Sequence, residues 1–262
     1  MLKKYLTAVI SIIIILAASF FYFNSEKPPE VYIERVIDGD TVETAAGESI
    51  RLLGVDTPEI DWENNNSEFY AEAAREFSRK HLLDKNVLLR FDEEREDDYG
   101  RTLAYIYHDG ENFNQKLLAE GYASIMIVEP NDKYEEEFKE TAEKARQERK
   151  GVWSQVLEFE KRLPVISYQQ AHLFIGERVI VEGEIVNTAA TDSVNYLNFS
   201  DNYRSTLSLV IFNRSLNKFS YQPAEYLKNK KIKALGTVEI YQGTPQIVID
   251  DPYDLYIVDQ LN

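Results

Sequence analysis

Arg51-Leu52-Leu53-Gly54-Val55-Asp56-Thr57-Pro58-Glu59 is an apolar run that ends on two acids around a proline. Residues 50–55 have strand character, and Pro58 pushes Thr57 towards an extended conformation that stops the run and frees its carbonyl. Strict strand alternation would put Arg51 and Asp56, five apart, on opposite faces. For the two to meet, the strand has to bend or bulge, and Gly54 is the residue that permits it. Working outward, residues 31–37, 41–44, 87–91 and 102–107 read as four further short strands, separated by turn signals such as Asp38-Gly39, Ala46-Gly47 and Asp109-Gly110. Residues 67–83 read as a helix with Ser67 as N-cap and Phe69, Ala73 and Phe77 on one face. Residues 113–120 predict a short helix. Asp132 with Glu135 predicts a capping-box start to a long helix that Gly151 ends, with Tyr134, Phe138, Ala142 and Ala145 as its buried stripe. Five strands with three interspersed helices make a mainly β fold, a small five-stranded barrel rather than a parallel sheet.

Two further islands stand beside the opening stretch: Ile37-Asp38-Gly39-Asp40-Thr41-Val42 and Asp98-Tyr99-Gly100-Arg101. Phosphodiester hydrolysis needs a hard cation on a phosphoryl oxygen, a base for water, and cationic donors for the charge that develops. Asp40 and Asp56 supply anionic oxygens, the Thr57 carbonyl another, and Glu59 is a candidate base. Arg51 and Arg101 carry the planar fork that pairs with two phosphate oxygens at once. Taken singly each piece is bland: Asp38-Gly39 is a turn, and Arg101 one more surface arginine. His81, His108 and His172 show no metal-ligand spacing, and with no cysteine there are neither disulfides nor thiolate sites.

In this order and spacing the three islands resemble the staphylococcal nuclease (thermonuclease) family. The resemblance runs from about Val31 to Trp153 and includes Leu103-Ala104-Tyr105-Ile106-Tyr107, Glu120-Gly121-Tyr122-Ala123 and Gly151-Val152-Trp153-Ser154. It implies a five-stranded OB-type barrel and a Ca2+-dependent endonuclease of DNA and RNA leaving 3′-phosphates. On that resemblance Asp40, Asp56 and Thr57 ligate the ion, Glu59 is the base, and Arg51 and Arg101 bind phosphate, with Tyr99 beside them against substrate. The chain departs from the family pattern in three places. Asp98 replaces a lysine, the stretch Ile125-Met126-Ile127-Val128-Glu129-Pro130-Asn131 lacks the usual tyrosines, and a basic loop is replaced by Asp61-Trp62-Glu63-Asn64-Asn65-Asn66.

The net charge of −16 is unusual for a protein that handles polyanions. It concentrates in residues 30–155, where 16 Lys/Arg face 31 Asp/Glu. The run Asp92-Glu93-Glu94-Arg95-Glu96-Asp97-Asp98 reads either as a solvated loop or as a collector of divalent cations. Before that segment, Lys3 and Lys4 precede an uncharged stretch, residues 5–23, long enough to span a membrane with the rest of the chain outside the cytoplasm. A cleaved signal peptide at Ala17-Ala18-Ser19 is the alternative. The predicted organisation is therefore an anchor and linker (1–29), the nuclease-like domain (30–156) and a strand-rich domain (165–262), joined by a connector. Strands at 178–186, 196–199, 206–212, 231–240 and 246–249 predict a second, OB-like barrel, with Lys231, Lys233 and Tyr241 as candidate nucleic-acid contacts. The rival class is a silent nucleic-acid- or protein-binding module on the same barrel. DNA or RNA and the membrane are the expected partners, and no obligate protein partner is implied.

Overall fold

The computed structural model describes residues 27–63, 67–203 and 205–258. In chain order, strands β1 (Glu30–Val36), β2 (Thr41–Thr44), β3 (Ser49–Leu52) and β4 (Gly54–Asp56) precede helix α1 (Ala71–Leu82). Strands β5 (Asn86–Arg90), β6 (Thr102–His108) and β7 (Glu111–Asn112) lead to α2 (Phe113–Ala119), β8 (Ser124–Met126) and α3 (Glu135–Gln147). Alternating burial along β3 and β5 turns Ile50, Leu52, Val87 and Leu89 inward, and a register irregularity between Ile33 and Arg35 of β1 lets Ile33 and Val36, three apart, both be buried. Each such side chain contributes about 1.5–3 kcal/mol when buried. The sheet runs β3-β2-β1-β5-β6, and β3 closes on β6 in parallel, Arg51 opposite Leu103. The expected five-stranded barrel is therefore closed.

The run at 50–55 is not one strand but two. Gly54 takes φ 76°, a left-handed value that favours glycine, and its Cα sits against the Phe138 ring; a Cβ there would lie 2.6 Å from Cε2. Before the bend, β3 stays in the barrel; after it, β4 pairs with β8, Asp56 opposite Ser124.

Two helix starts differ from expectation. Helix α1 begins at Ala71 after Tyr70 in the left-handed region, and the Ser67 hydroxyl instead accepts the Asp61 N–H at 3.2 Å. Helix α3 begins at Glu135 with no side-chain cap; the Glu135 N–H bonds the Asp132 carbonyl at 2.9 Å, so the capping box is absent.

The expected connector is partly helical, α4 (Gln155–Phe159). Strands β9 (Val165–Ser167), β10 (Arg178–Glu184), β11 (Asn187–Ala190), β12 (Val194–Asn198) and β13 (Ser208–Phe212) follow. The chain continues through a 3-10 turn (Asn213–Lys218), α5 (Pro223–Tyr226), β14 (Lys231–Thr237), β15 (Glu239–Tyr241), β16 (Thr244–Val248) and β17 (Leu255–Ile257). These strands form two sheets, β17-β14-β10-β9 and β11-β12-β13-β16-β15, which share one core of Val179, Val181, Leu197, Leu209, Ile232 and Ile247. The two sheets are joined through consecutive runs of chain: β10 leads into β11 and β14 into β15, so β14 pairs with β10 while β15 pairs with β16, and β13 lies parallel to β16.

The two segments are docked. Trp153 packs edge-on against Tyr253, Val156 packs with Ile180 and Leu235, and Gln155 Nε2 donates to Asp254 Oδ1 at 2.6 Å. Among the described residues no helix is long and apolar enough to cross a membrane, and the anchor expected at 5–23 lies outside them.

Candidate active site

The bend at Gly54 curls the chain around the Arg51 guanidinium. Nη1 donates to the carbonyls of Leu52 and Val55, both at 2.7 Å, and so fills the inside of the corner. With its stem fixed, the fork presents Nη2 to Asp56 Oδ1 at 3.1 Å and Nε to Asp40 Oδ1 at 3.2 Å. The corner is what lets residues five apart on a strand converge.

Asp40 is buried in the loop between β1 and β2. Its Oδ2 accepts the Thr57 N–H at 2.7 Å and the Thr57 hydroxyl at 3.0 Å, while Oδ1 takes the Thr41 hydroxyl at 3.1 Å. Asp38 closes the loop by accepting the Asp40 N–H at 3.0 Å, and Ser78 of α1 pins it by donating to the Gly39 carbonyl at 2.5 Å. Gly39 has no room for a side chain, since a Cβ would stand 2.7 Å from Thr57. Glu59 lies just beyond, where its N–H bonds Glu68 Oε2 at 2.9 Å and the Glu68 N–H bonds its carbonyl at 3.0 Å.

Four carboxylates, those of Asp38, Asp40, Asp56 and Glu59, crowd around one arginine, and the electrostatics follow from that excess. Burial first, then Asp38 and Asp56, push Asp40 up to about 6 against the pull of Arg51 and the Thr57 N–H. Burial and the charges of Asp40 and Asp56 also raise Glu59 above the usual glutamate range. Burial alone would lower Arg51, but the surrounding carboxylates outweigh it and hold the guanidinium charged. An all-oxygen, anion-rich donor set of this kind fits a hard divalent cation. Among the described residues no three His, Cys, Asp or Glu side chains form a ready-made cage. A cation here would use the two aspartates, the Thr57 carbonyl and water.

Arg101 precedes β6 in a tight loop built on Asp97. Asp97 Oδ1 accepts the N–H groups of Tyr99 (3.0 Å) and Arg101 (2.9 Å), and Oδ2 takes Arg101 Nε at 2.7 Å. Burial alone would raise Asp97, but these bonds hold it below the ordinary aspartate range. Arg51, Asp56, Glu59, Tyr99 and Arg101 line one groove of about 450 Å3, with Asp40 tied to it through Arg51 and Thr57. The Tyr99 ring is 86% exposed and stands 5.5 Å from the Arg101 guanidinium.

The candidates in the second segment lie elsewhere. Lys231 pairs with Glu182 at 2.5 Å, and Lys233 pairs with Glu160. Tyr241 lines a separate groove of about 660 Å3 with Tyr196 and Tyr203, to which neither lysine contributes. Trp62 packs locally under the Arg75 guanidinium. His81 and His172 each bond a backbone carbonyl nearby, consistent with structural roles.

Two participants have no signal in the motif islands. Lys218 Nζ reaches Asp56 Oδ2 at 2.9 Å and Asp251 Oδ1 at 2.7 Å, so the second segment touches the site. Neither residue sits in a pattern that sequence reasoning could have used.

Comparison with known proteins finds relatives among nucleases. A family model described as "Staphylococcal nuclease homologue" matches residues 49–155. The thermonuclease of Staphylococcus hyicus is 33% identical over 168 residues, covering 58% of this chain and 99% of the relative. The thermonuclease of Staphylococcus intermedius is 41% identical over 124 residues, 46% of this chain and 74% of the relative. Endonuclease YncB of Bacillus subtilis is 36% identical over 136 residues, 50% and 64% respectively.

Proposed function

Because this chain belongs to the staphylococcal nuclease family and is a hydrolytic nuclease, we propose that it cuts DNA or RNA internally with the help of Ca2+ and leaves 3′-phosphate ends. The observation that chiefly supports this reading is the shared groove: Arg51, Asp56, Glu59 and Arg101 face one space, and Asp40 is tied to the same guanidinium. Asp40, Asp56 and the Thr57 carbonyl would hold the ion. When bound, the ion supplies positive charge against the phosphoryl oxygens. Glu59, whose proton affinity is raised by its setting, accepts a proton from the attacking water. The water oxygen bonds to phosphorus, the bond to the 5′ oxygen breaks, and that oxygen takes a proton from solvent to leave as a hydroxyl, while Glu59 returns its proton to solvent. Arg51 and Arg101 meet the charge that builds on the equatorial oxygens. Arg101 is oriented for this by Asp97, which grips only the Nε side of the fork.

Glu59→Gln is expected to lower turnover by about 10²–10⁴-fold, and Arg101→Ala by about 10²–10³-fold. The assay is cleavage of labelled single- and double-stranded DNA and RNA by a soluble chain starting at Glu30, with circular dichroism as the check on folding. Excess EGTA should silence it. Wild-type-like cutting by either variant refutes the assignment, and binding of polynucleotide without cutting by the unaltered protein favours the silent module.

The same reading puts the nuclease outside the cell membrane, tethered by residues 5–23 behind Lys3 and Lys4. Protease added to intact cells should then remove the nuclease segment. The groove around Tyr241 is proposed to stack bases of a bound strand, and Tyr241→Ala should weaken single-strand binding.

A further inference from the structure

We propose that the C-terminal segment completes the cation site by fixing the Asp56 carboxylate through Lys218, a positioning residue braced on Asp251. The inference rests on the reading of Asp56 as a cation ligand.

Both oxygens of Asp56 have partners. Oδ1 receives Arg51 Nη2 at 3.1 Å and Oδ2 receives Lys218 Nζ at 2.9 Å, so the plane of the carboxylate is set from two sides. The lysine is not a passing surface chain. It ends the 3-10 turn Asn213–Lys218, whose Ser215 hydroxyl is buried and bonds Asp250 Oδ1 at 3.3 Å. The turn packs on β8, the strand paired with the one that carries Asp56, and its Asn217 carbonyl accepts the Ile127 N–H at 3.3 Å. Asp251 then holds the ammonium at 2.7 Å.

The charge of Lys218 would by itself repel a cation at Asp56. Asp251 cancels most of that charge at contact distance, so what the pair transmits to Asp56 is orientation rather than field. Lys218 does not line the groove of Arg51, Glu59 and Arg101, so it acts behind the ligand and not on substrate. Outer partners that orient a ligating side chain are typically worth 10–100-fold in metal affinity. The segment outside the nuclease barrel is, on this view, part of the metal site.

The test is calorimetric titration of Ca2+ into the purified chain from Glu30, alongside Lys218→Met, Lys218→Arg and Asp251→Asn, each with its thermal midpoint. Lys218→Met is expected to weaken Ca2+ binding about 10–100-fold with little change in midpoint, and Lys218→Arg to restore most of it. Asp251→Asn, which loosens the brace and keeps the lysine, shifts affinity in the same direction and serves if Lys218→Met does not fold. Equal or tighter binding by Lys218→Met overturns the proposal while leaving the nuclease site intact. An unaltered protein that binds no Ca2+ overturns both.

Discussion

Asp40 carries the clearest pH signature. Its carboxyl is pushed up to about 6 from the ordinary 3.8 by burial and by Asp38 and Asp56. A carboxyl raised on folding favours the folded state fully below its unfolded pKa, and that contribution is lost as pH rises through the folded value. At neutral pH the cation-free protein therefore carries an unfavourable ionised Asp40, and a divalent ion relieves it. The ion needs the carboxylate, so it must displace a proton once pH drops below about 6. Apparent Ca2+ affinity should be flat above about pH 7 and fall by up to about tenfold per unit below 6. Calorimetry across that range checks it, and an affinity indifferent to pH contradicts the place of Asp40 in the site. The charged residues of the groove were legible because they sit in compact islands whose types match phosphoryl chemistry. Asp38 was legible only as a turn: it does accept the Asp40 N–H, but its charge also enters the site, which a turn signal does not announce.

The element that makes the site is the corner between β3 and β4. At Gly54 a side chain meets two penalties, the left-handed φ of 76° and the Phe138 ring 2.6 Å from where Cβ would be. The first costs about 1–2 kcal/mol and the second, as overpacking, about 1–3 kcal/mol. Gly54→Ala should therefore destabilise the fold by roughly 2–5 kcal/mol in urea unfolding and misplace Arg51 relative to Asp56. A neutral substitution would mean that α3 yields and that the corner is not held by Phe138. Sequence reasoning located this bend because alternation would otherwise separate two residues that the chemistry wants together. It misjudged the helix starts, since Ser67 and Asp132 are good capping residues whose groups are used by the neighbouring loop and turn instead. The strand-like run at 231–240 divides only at Val238, and tertiary pairing, which no local pattern shows, gives its first part β10 and its second part β16 as neighbour.

Across the whole molecule the acidic excess is placed against the site rather than away from it. Glu94, Glu96, Asp97 and Asp98 line the same groove as Arg51 and Arg101, so the run 92–98 is a wall of the site as well as a loop. Composition gave the charge, but which face it lines and the reach of Lys218 into the site depend on how two segments dock, and no local pattern encodes that. A duplex brings two backbones towards this wall, whereas a single strand brings one and can bend away from it. With the two arginines as the cationic groups of the groove, both on the scissile phosphate, about one phosphate is neutralised on binding, and it releases about 0.7 counterions on a single strand. The logarithm of kcat/KM on single-stranded DNA should then fall against log salt with a slope of about −0.7, with single strands cut faster than duplexes at every salt concentration. A slope steeper than about −5 would require several more phosphate contacts and would mean that lysines outside the groove carry the substrate, displacing the acidic wall as the determinant of strand preference.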